Sequence, residues 1–126
     1  MSTIEVVALA SGRFAARRNV LERAGRLAGP SGIVHVVCDS VGYAVIIGST
    51  ILTGTTIEPD PFEQAAFEES AEILADYGCS WTWQFMVFGA RSQVLDRARR
   101  AGIVAVLPKR QRPSRSAGIT IVRPGG

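Results

Sequence analysis

Apolar residues gather along the chain into three short, almost uninterrupted runs that are rich in β-branched side chains. These runs cover residues 4–10, 33–38 and 103–107. A strand buried on both faces of a parallel sheet has this pattern, whereas a strand with one face in water alternates apolar and polar positions. We therefore predict that these runs are strands of a mostly parallel sheet.

Three other segments show weaker strand patterns. Residues 81–88 alternate in part, with Trp81 and Trp83 on one side, which favours an edge strand with one better-covered face. Residues 118–122 form a short last strand. Residues 41–58 are apolar but interrupted by glycine, and they indicate either an extra hairpin or a partly ordered apolar flap.

Helical periodicity fills the gaps between the strands. The first predicted helix covers residues 15–28 and ends before a Gly-Pro-Ser-Gly turn. A second begins at Asp60 and Pro61, where Glu63 completes a capping box, and runs to Tyr77. A third covers residues 90–101 and is capped by Gly102. The order β-α-β-α-β-α-β-β predicts one doubly wound α/β domain, residues 1–126, with helices on both faces of the sheet.

Each predicted helix has an apolar face and a charged face. In the first, the apolar face comprises Val20, Leu21, Ala24, Leu27 and Ala28, and the charged face comprises Arg17, Arg18, Glu22, Arg23 and Arg26. In the second, the core face comprises Phe62, Ala66, Ile73, Leu74 and Tyr77, and the solvated face comprises Glu68, Glu69, Glu72 and Asp76. In the third, Val94, Leu95, Ala98 and Ala101 point inward, and Arg91, Arg97, Arg99 and Arg100 point outward.

Composition narrows the function classes. The 126 residues are 47% hydrophobic and 20% charged, which is enough apolar surface for a core. The net charge of +3 comes from a basic set that is arginine except for Lys109. This balance permits an anionic ligand without requiring nucleic acid, and we expect no nucleic-acid partner.

Neither terminal nor apolar segments predict export or membrane insertion. The N-terminus lacks a basic stretch ahead of its apolar run, so we expect no signal peptide. No apolar run reaches the roughly 20 residues of a membrane helix. Cys38 and Cys79 are far apart and lack a CxxC pair, so we expect reduced, buried thiols in a cytoplasmic protein; a disulfide or a metal site is the alternative.

Several of these segments resemble the universal stress proteins. Residues 6–12 (VVALASG) are similar to that family's first strand and following turn, and residues 33–38 (IVHVVC) to its second strand. Residues 98–107 resemble the helix and fourth strand that precede its nucleotide loop, and residues 118–124 (GITIVRP) its closing strand. The resemblance implies a three-layer, doubly wound, five-stranded sheet of order 3-2-1-4-5, an arrangement shared with the adenine nucleotide alpha hydrolases.

Two departures from the family pattern argue against ordinary ATP binding. The family's nucleotide-binding members carry a Gly-x-x-Gly segment after the fourth strand and a later Gly-Ser or Gly-Thr, whose backbone N–H groups approach phosphates closely. Here residues 108–117 contain no glycine, and the usual fourth helix is missing. Ser11 also stands where ATP-binding relatives carry an aspartate.

The implied strand order reverses its winding between the first and fourth strands, and a ligand crevice opens at such a point. The residues that we expect to line it are Ala10, Ser11, Gly12, Arg13, Val37, Cys38, Asp39, Lys109, Arg110, Arg112 and Arg115. A nucleotide or another phosphorylated molecule would there meet the cations of the basic loop, residues 108–116, in place of a glycine nest. The alternative is that this loop is a solvated connection between two strands.

The remaining chemistry-bearing residues favour structural roles. His35 alternates with buried valines, so we expect a core histidine with its hydrogen bonds satisfied rather than a catalytic base. The carboxylates of residues 58–76 are expected on a solvated face, and we predict neither a catalytic residue, nor a metal site, nor a cofactor. Trp81 and Trp83 could stack a base, but covering the sheet or a second subunit is the preferred interpretation.

The last strand predicts self-association. It is apolar and lies at an edge of the implied sheet, and this family commonly dimerises through it. We expect a homodimer joined along residues 118–122 through Ile119, Ile121 and Val122, with residues 41–52 as a second apolar contact.

Three functions remain. The favoured one is a non-enzymatic, dimeric regulatory or interaction module that resembles the universal stress proteins but does not bind ATP in their usual manner. The second is a binding module in which the basic loop holds a nucleotide, such as AMP or a cyclic dinucleotide. The third, an enzyme of a related nucleotide-handling family, is disfavoured because neither a phosphate loop nor an acid/base pair is found.

Overall fold

The computed structural model describes residues 4–11, 14–39, 61–86, 89–108 and 120–124. Strands and helices alternate along these residues until the last two strands. The elements are β1 (Glu5–Ala10), α1 (Phe14–Ala28), β2 (Ile33–Asp39), α2 (Pro61–Ala75), β3 (Ser80–Met86), α3 (Ala90–Ala101), β4 (Val104–Val106) and β5 (Ile121–Val122). The predicted hairpin or flap at residues 41–58 lies outside the described residues.

The five strands form one parallel sheet in the order β3-β2-β1-β4-β5, which confirms the predicted fold class and strand order. β1 lies at the centre and pairs with β2 on one side and with β4 on the other. The crossover from β3 to β4 passes over both β2 and β1, so the direction of winding reverses between β1 and β4. The carboxyl ends of these two strands therefore diverge at a topological switch point.

Two hydrophobic clusters, one on each face of the sheet, complete a three-layer structure. In β1, Val6, Ala8 and Ala10 belong to the cluster with α1 and α2, while Val7 and Leu9 belong to the cluster with α3. All five side chains are at most 1% exposed. This double burial explains why the central strands read as continuous apolar runs, since neither face of β1 reaches water.

The structure corrects several helix assignments. Arg17 and Glu69 were expected on solvated faces, but Arg17 is buried and forms an ion pair with Glu69 between α1 and α2. Ala101 was expected to point inward and is exposed, because the buried residues of α3 recur every four positions, at Ala90, Val94 and Ala98. α2 ends at Ala75 rather than at Tyr77 and continues as a turn.

Glycine determines two features of the helix packing. Gly102 ends α3 with φ of 66° and donates its backbone N–H to the carbonyl of Ala98, as predicted for a helix cap. Gly25, within α1, lies under the Tyr77 ring, and a Cβ atom built there would approach Cδ2 of that ring to 2.6 Å. The absence of a side chain at Gly25 therefore allows the turn after α2 to pack closely on α1.

Candidate functional site

The carboxyl edge of the sheet holds those predicted site residues that the structure describes. Ala10 and Ser11 end β1, and Val37, Cys38 and Asp39 end β2, so register places them side by side, with Leu9 opposite Val37 and Ala10 opposite Cys38. The other predicted ligand-binding residues lie outside the described residues; they are Gly12, Arg13, Lys109, Arg110, Arg112 and Arg115. The structure thus brings together the floor of the expected crevice.

Polar side chains on this floor are directed at each other. The Ser11 hydroxyl donates a hydrogen bond of 2.8 Å to Oδ2 of Asp39, and the two residues are only 4% and 9% exposed. The first strand therefore ends in a hydroxyl, and the nearby carboxylate comes from the second strand.

Cys38, also on the floor, is unsuited to nucleophilic chemistry. Burial raises the pKa of its thiol from 9.0 to about 12, partly opposed by the Arg17 guanidinium and reinforced by the Asp39 carboxylate. The thiolate, which is the reactive form, is therefore scarce at neutral pH. Cys38 and Cys79 are both free and buried, which confirms the expectation of reduced thiols.

A buried ion pair supports this floor from the side of α1 and α2. Nη2 of Arg17 lies 3.1 Å from Oε2 of Glu69, and the side chains are 11% and 15% exposed. Both groups are close enough to Cys38 to influence its ionisation. Sequence reasoning missed this pair because it assigned charged residues to solvent, although Arg17 continues the stripe formed by Val20, Leu21 and Ala24 at helical spacing.

An open cavity of about 840 Å³ runs along one side of α3, from Gly89 to Arg99. The described residues that line it are Gly89, Arg91, Ser92, Gln93, Leu95, Asp96 and Arg99. Nε and Nη2 of Arg91 are buried and find no hydrogen-bond partner within the part of the chain that the structure describes. The sequence placed Arg91 on the outer face of α3, where no pattern distinguishes it from the other arginines.

His35 is a core residue with both ring nitrogens engaged, as the sequence predicted. Nδ1 lies 2.8 Å from Oγ1 of Thr82, and Nε2 lies 3.1 Å from Oε1 of Glu5. The residue is 9% exposed and sits between β1 and β3, away from the carboxyl edge. It therefore joins three strands, and it is not positioned to activate Ser11 or Cys38.

The described ranges lack both a cluster of metal-binding side chains and a membrane-spanning helix. There, no group of three or more His, Cys, Asp or Glu side chains could hold a metal ion. Among the same residues, no helix has the length and apolar character needed to cross a membrane.

The strands at the two edges of the sheet, β3 and β5, differ in length. β5 has two residues, Ile121 and Val122, both partly buried; Ile119 of the predicted dimer contact lies outside the described residues. β3 has seven residues, and its Trp81 and Trp83 pack partly buried against the cluster of α1 and α2. The tryptophans thus cover the sheet, in line with the preferred interpretation of the sequence.

A comparison with solved structures identifies a similar protein. The universal stress protein from Archaeoglobus fulgidus matches with a TM-score of 0.58 and 17% sequence identity, over 95% of this chain and 92% of that chain. No protein-family model matches the chain, and no curated protein matches its sequence significantly. Because the sequence identity is so low, the match shows that the two proteins share a backbone fold. The chain therefore has the fold of a universal stress protein.

Proposed function

We propose that this chain is a non-enzymatic regulatory or interaction module of the universal stress protein type, which acts in the cytoplasm, self-associates and does not bind ATP in the family's usual manner. The observation that carries this proposal is the fold combined with a glycine-free connection after β4. Residues 108–117 contain no glycine, so every residue there carries a side chain where a phosphate nest needs bare backbone.

The floor of the crevice supports the same conclusion. The buried hydroxyl of Ser11 donates its hydrogen bond to Asp39, so it is not available to a phosphate oxygen. A module of this type would signal through its surface and its assembly rather than through bound ATP.

The absence of an enzymatic role is supported by the state of the candidate nucleophiles. Cys38 has a pKa raised by burial, and both nitrogens of His35 are held by Glu5 and Thr82. The hydroxyl that His35 contacts is that of Thr82, and this row with Glu5 lies within the strands, away from the carboxyl edge where the fold places a ligand crevice.

Self-association through β5 stays a prediction from the sequence, and it can be tested separately. Lysine in place of Ile121 puts a charge on this edge, so a dimer joined along β5 should dissociate. Sedimentation velocity over a range of concentrations measures the change. A dimer that resists Ile121→Lys would place the contact elsewhere.

The experiment that tests the proposed function combines native mass spectrometry with thermal unfolding. Mass spectrometry of freshly purified protein reports the number of subunits and any retained ligand. We expect a dimer without nucleotide, and we expect millimolar MgATP to leave the Tm unchanged, because a ligand raises the Tm only by binding the folded state. A retained adenine nucleotide, or a rise in Tm with MgATP, would contradict the proposal.

A second candidate function, binding of a phosphorylated small molecule other than ATP, is favoured by Arg91. Arg91 lines the cavity along α3, and two of its guanidinium nitrogens, Nε and Nη2, are buried without a hydrogen-bond partner in the described residues. The basic loop would add Lys109 and Arg110 as further cations. If this function is correct, AMP or a cyclic dinucleotide raises the Tm, and Lys109→Ala with Arg110→Ala abolishes the rise.

A further inference from the structure

Arg91 carries a buried charge that no described residue balances. Its Nε and Nη2 atoms are buried, and neither finds a hydrogen-bond partner in the part of the chain that the structure describes. Arginine keeps its proton in proteins, so this side chain cannot relieve its burial by losing its charge. A charge withdrawn from water destabilises the folded protein unless an opposite charge or hydrogen-bond acceptors replace that water. Arg91 therefore requires an acceptor that these residues do not supply.

The two buried nitrogens of Arg91 form one edge of the guanidinium plane. Along this edge the N–H bonds of Nε and Nη2 point in the same direction, so together they bind both oxygens of a carboxylate or a phosphate. Arg23 also has a buried Nε without a partner in the described ranges, but only that nitrogen. The complete two-donor edge distinguishes Arg91, and it specifies an anion with two neighbouring oxygens.

The helix that carries Arg91 does not provide such an anion. α3 contains four arginines and one aspartate, and its first turn has no acidic residue. The aspartate, Asp96, is paired with Arg100, with 3.2 Å between Oδ2 and Nε. Side chains on a helix meet at spacings of three or four residues, whereas Asp96 lies five positions after Arg91. The anion therefore has to approach from outside α3.

The open cavity along α3 gives a small molecule access to Arg91. Arg91, Leu95 and Arg99 line it at four-residue intervals, and Ser92 and Asp96 border the same space. Its volume of about 840 Å³ lies within the range of small-molecule sites. Leu95 packs partly buried against the cluster of α3 and offers an apolar wall, while Ser92 offers a hydroxyl. The cavity thus combines an anion-binding edge with a surface for an organic body.

We propose that the cavity along α3 binds a small organic anion, whose single carboxylate or phosphate group accepts two hydrogen bonds from Nε and Nη2 of Arg91. This inference rests on the second candidate function and deepens it, because it assigns the anion to α3 rather than to the basic loop. The body of the ligand contacts Leu95 and bonds to Ser92. Asp96 offsets one of the two lining arginines, so the site suits one anionic group rather than a triphosphate.

The closing experiment measures the Tm as inorganic phosphate or malonate is added at an ionic strength held constant with NaCl. A ligand that binds only the folded state raises the Tm with its concentration, and this dependence gives an apparent Kd. Constant ionic strength separates binding from charge screening. We expect at least one of the two anions to raise the Tm with saturation, and the stronger one identifies the anionic group as phosphate or carboxylate.

Two variants of Arg91 test the two-donor edge. Arg91→Met removes the guanidinium, and Arg91→Lys keeps the charge but cannot form two parallel hydrogen bonds, so each should weaken the apparent Kd at least about tenfold. The matched control is Arg26→Met, an exposed position on α1 across the sheet, which should leave the Kd within about twofold. Without anion, Arg91→Met should keep or raise the Tm, because it removes a buried charge that lacks a partner.

Phenyl phosphate tests the cavity in addition to the charged edge. It carries the same anionic group as phosphate esters do, together with an apolar ring that can contact Leu95. We expect its apparent Kd to be at least about threefold lower than that of inorganic phosphate, since the ring buries apolar surface. Equal affinities for the two probes would overturn the assignment of a ligand body to this cavity.

An acid of the chain itself is the rival partner of Arg91. Outside the described ranges the acidic residues are Glu58 and Asp60. If either balanced Arg91, Glu58→Gln with Asp60→Asn would lower the Tm in the unaltered protein but not in Arg91→Met. We expect equal changes in the two backgrounds, which means no coupling. Coupling between these sites would overturn the inference.

The remaining outcomes separate this inference from the function on which it rests. An anion response that Lys109→Ala with Arg110→Ala abolishes, and that both Arg91 variants retain, would overturn the assignment to Arg91 and leave the second candidate function intact. An unaltered protein whose Tm responds to none of the anions would overturn both. A marked fall in the Tm of Arg91→Met without anion would assign the guanidinium to a structural contact and overturn the inference alone.

Discussion

Replacing Glu69 with glutamine removes one charge from the ion pair with Arg17. The two side chains are 11% and 15% exposed, so both charges have lost most of their water. Removing one partner of a buried pair costs about 3–5 kcal/mol, against about 0–1 kcal/mol for an exposed pair. Oε1 of Glu69 is buried without a hydrogen-bond partner in the described part of the chain, so only the other carboxylate oxygen, Oε2, accepts a hydrogen bond there. We therefore expect Glu69→Gln to lower the free energy of unfolding by about 2 kcal/mol, which is less than the loss typical of a fully buried pair.

Urea unfolding followed by circular dichroism measures this loss. The midpoint should fall while the slope with denaturant stays constant, because the same surface is exposed on unfolding. For a chain of 126 residues the expected loss corresponds to roughly 6–10 °C in Tm. The matched control is Asp96→Asn, which removes the pair with Arg100 at 3.2 Å, where the side chain of Asp96 is 47% exposed and that of Arg100 is 81% exposed. That change should cost less than about 0.5 kcal/mol. Equal losses for the two variants would refute the assignment of Arg17 and Glu69 to a desolvated site.

Three further changes test the interior. Burial raises the pKa of Cys38 to about 12 from an unfolded value of 9.0. Between these two pH values the unfolded chain loses the thiol proton while the folded chain retains it. The free energy of unfolding therefore falls as pH rises from 9 to 12, by at most about 1.4 kcal/mol per pH unit. Cys38→Ala should remove this part of the pH dependence. Ser11→Ala leaves the buried Asp39 carboxylate short of one donor and should cost about 1–3 kcal/mol in urea unfolding. Gly25→Ala should destabilise by about 1–2 kcal/mol despite the better helix propensity of alanine, because its Cβ overlaps the Tyr77 ring.

Each of these predictions has its own control or contrary outcome. Stability that falls equally steeply above pH 9 with and without Cys38 would show that other groups cause the loss. Ser31→Ala, at an exposed turn, should be nearly neutral, and a similar loss at Ser11 and Ser31 would argue against the bond to Asp39. A more stable Gly25→Ala variant would mean that the ring of Tyr77 moves aside at little cost.

Local patterns in the sequence were sufficient for the elements and the fold class. The central strand β1 is an almost uninterrupted apolar run because helices cover both faces of the sheet, so its composition reflects its burial. Helix ends were predictable where a single residue determines them, as Gly102 does with its positive φ. The chain order of strands and helices then predicted the doubly wound sheet, and the resemblance supplied the order β3-β2-β1-β4-β5 that the structure confirms.

The candidate site was predictable in position but not in its contacts. The switch point follows from strand order, and the structure places Ser11 and Asp39 there as expected. Their bond to each other could not be predicted, because it depends on the register of two strands that are separated by a helix.

The sequence by itself determined which segments form strands and helices, since hydrophobic periodicity reports how many sides of each segment are covered. Only the tertiary structure decided the surroundings of the charged residues. Arg17 and Arg18 are neighbours in one helix, yet Arg17 is buried against Glu69 while the side chain of Arg18 remains 53% exposed. Residue type sets the cost of losing water, but whether an opposite charge lies close enough to offset that cost depends on how α1 and α2 pack, and packing is a property of the folded chain.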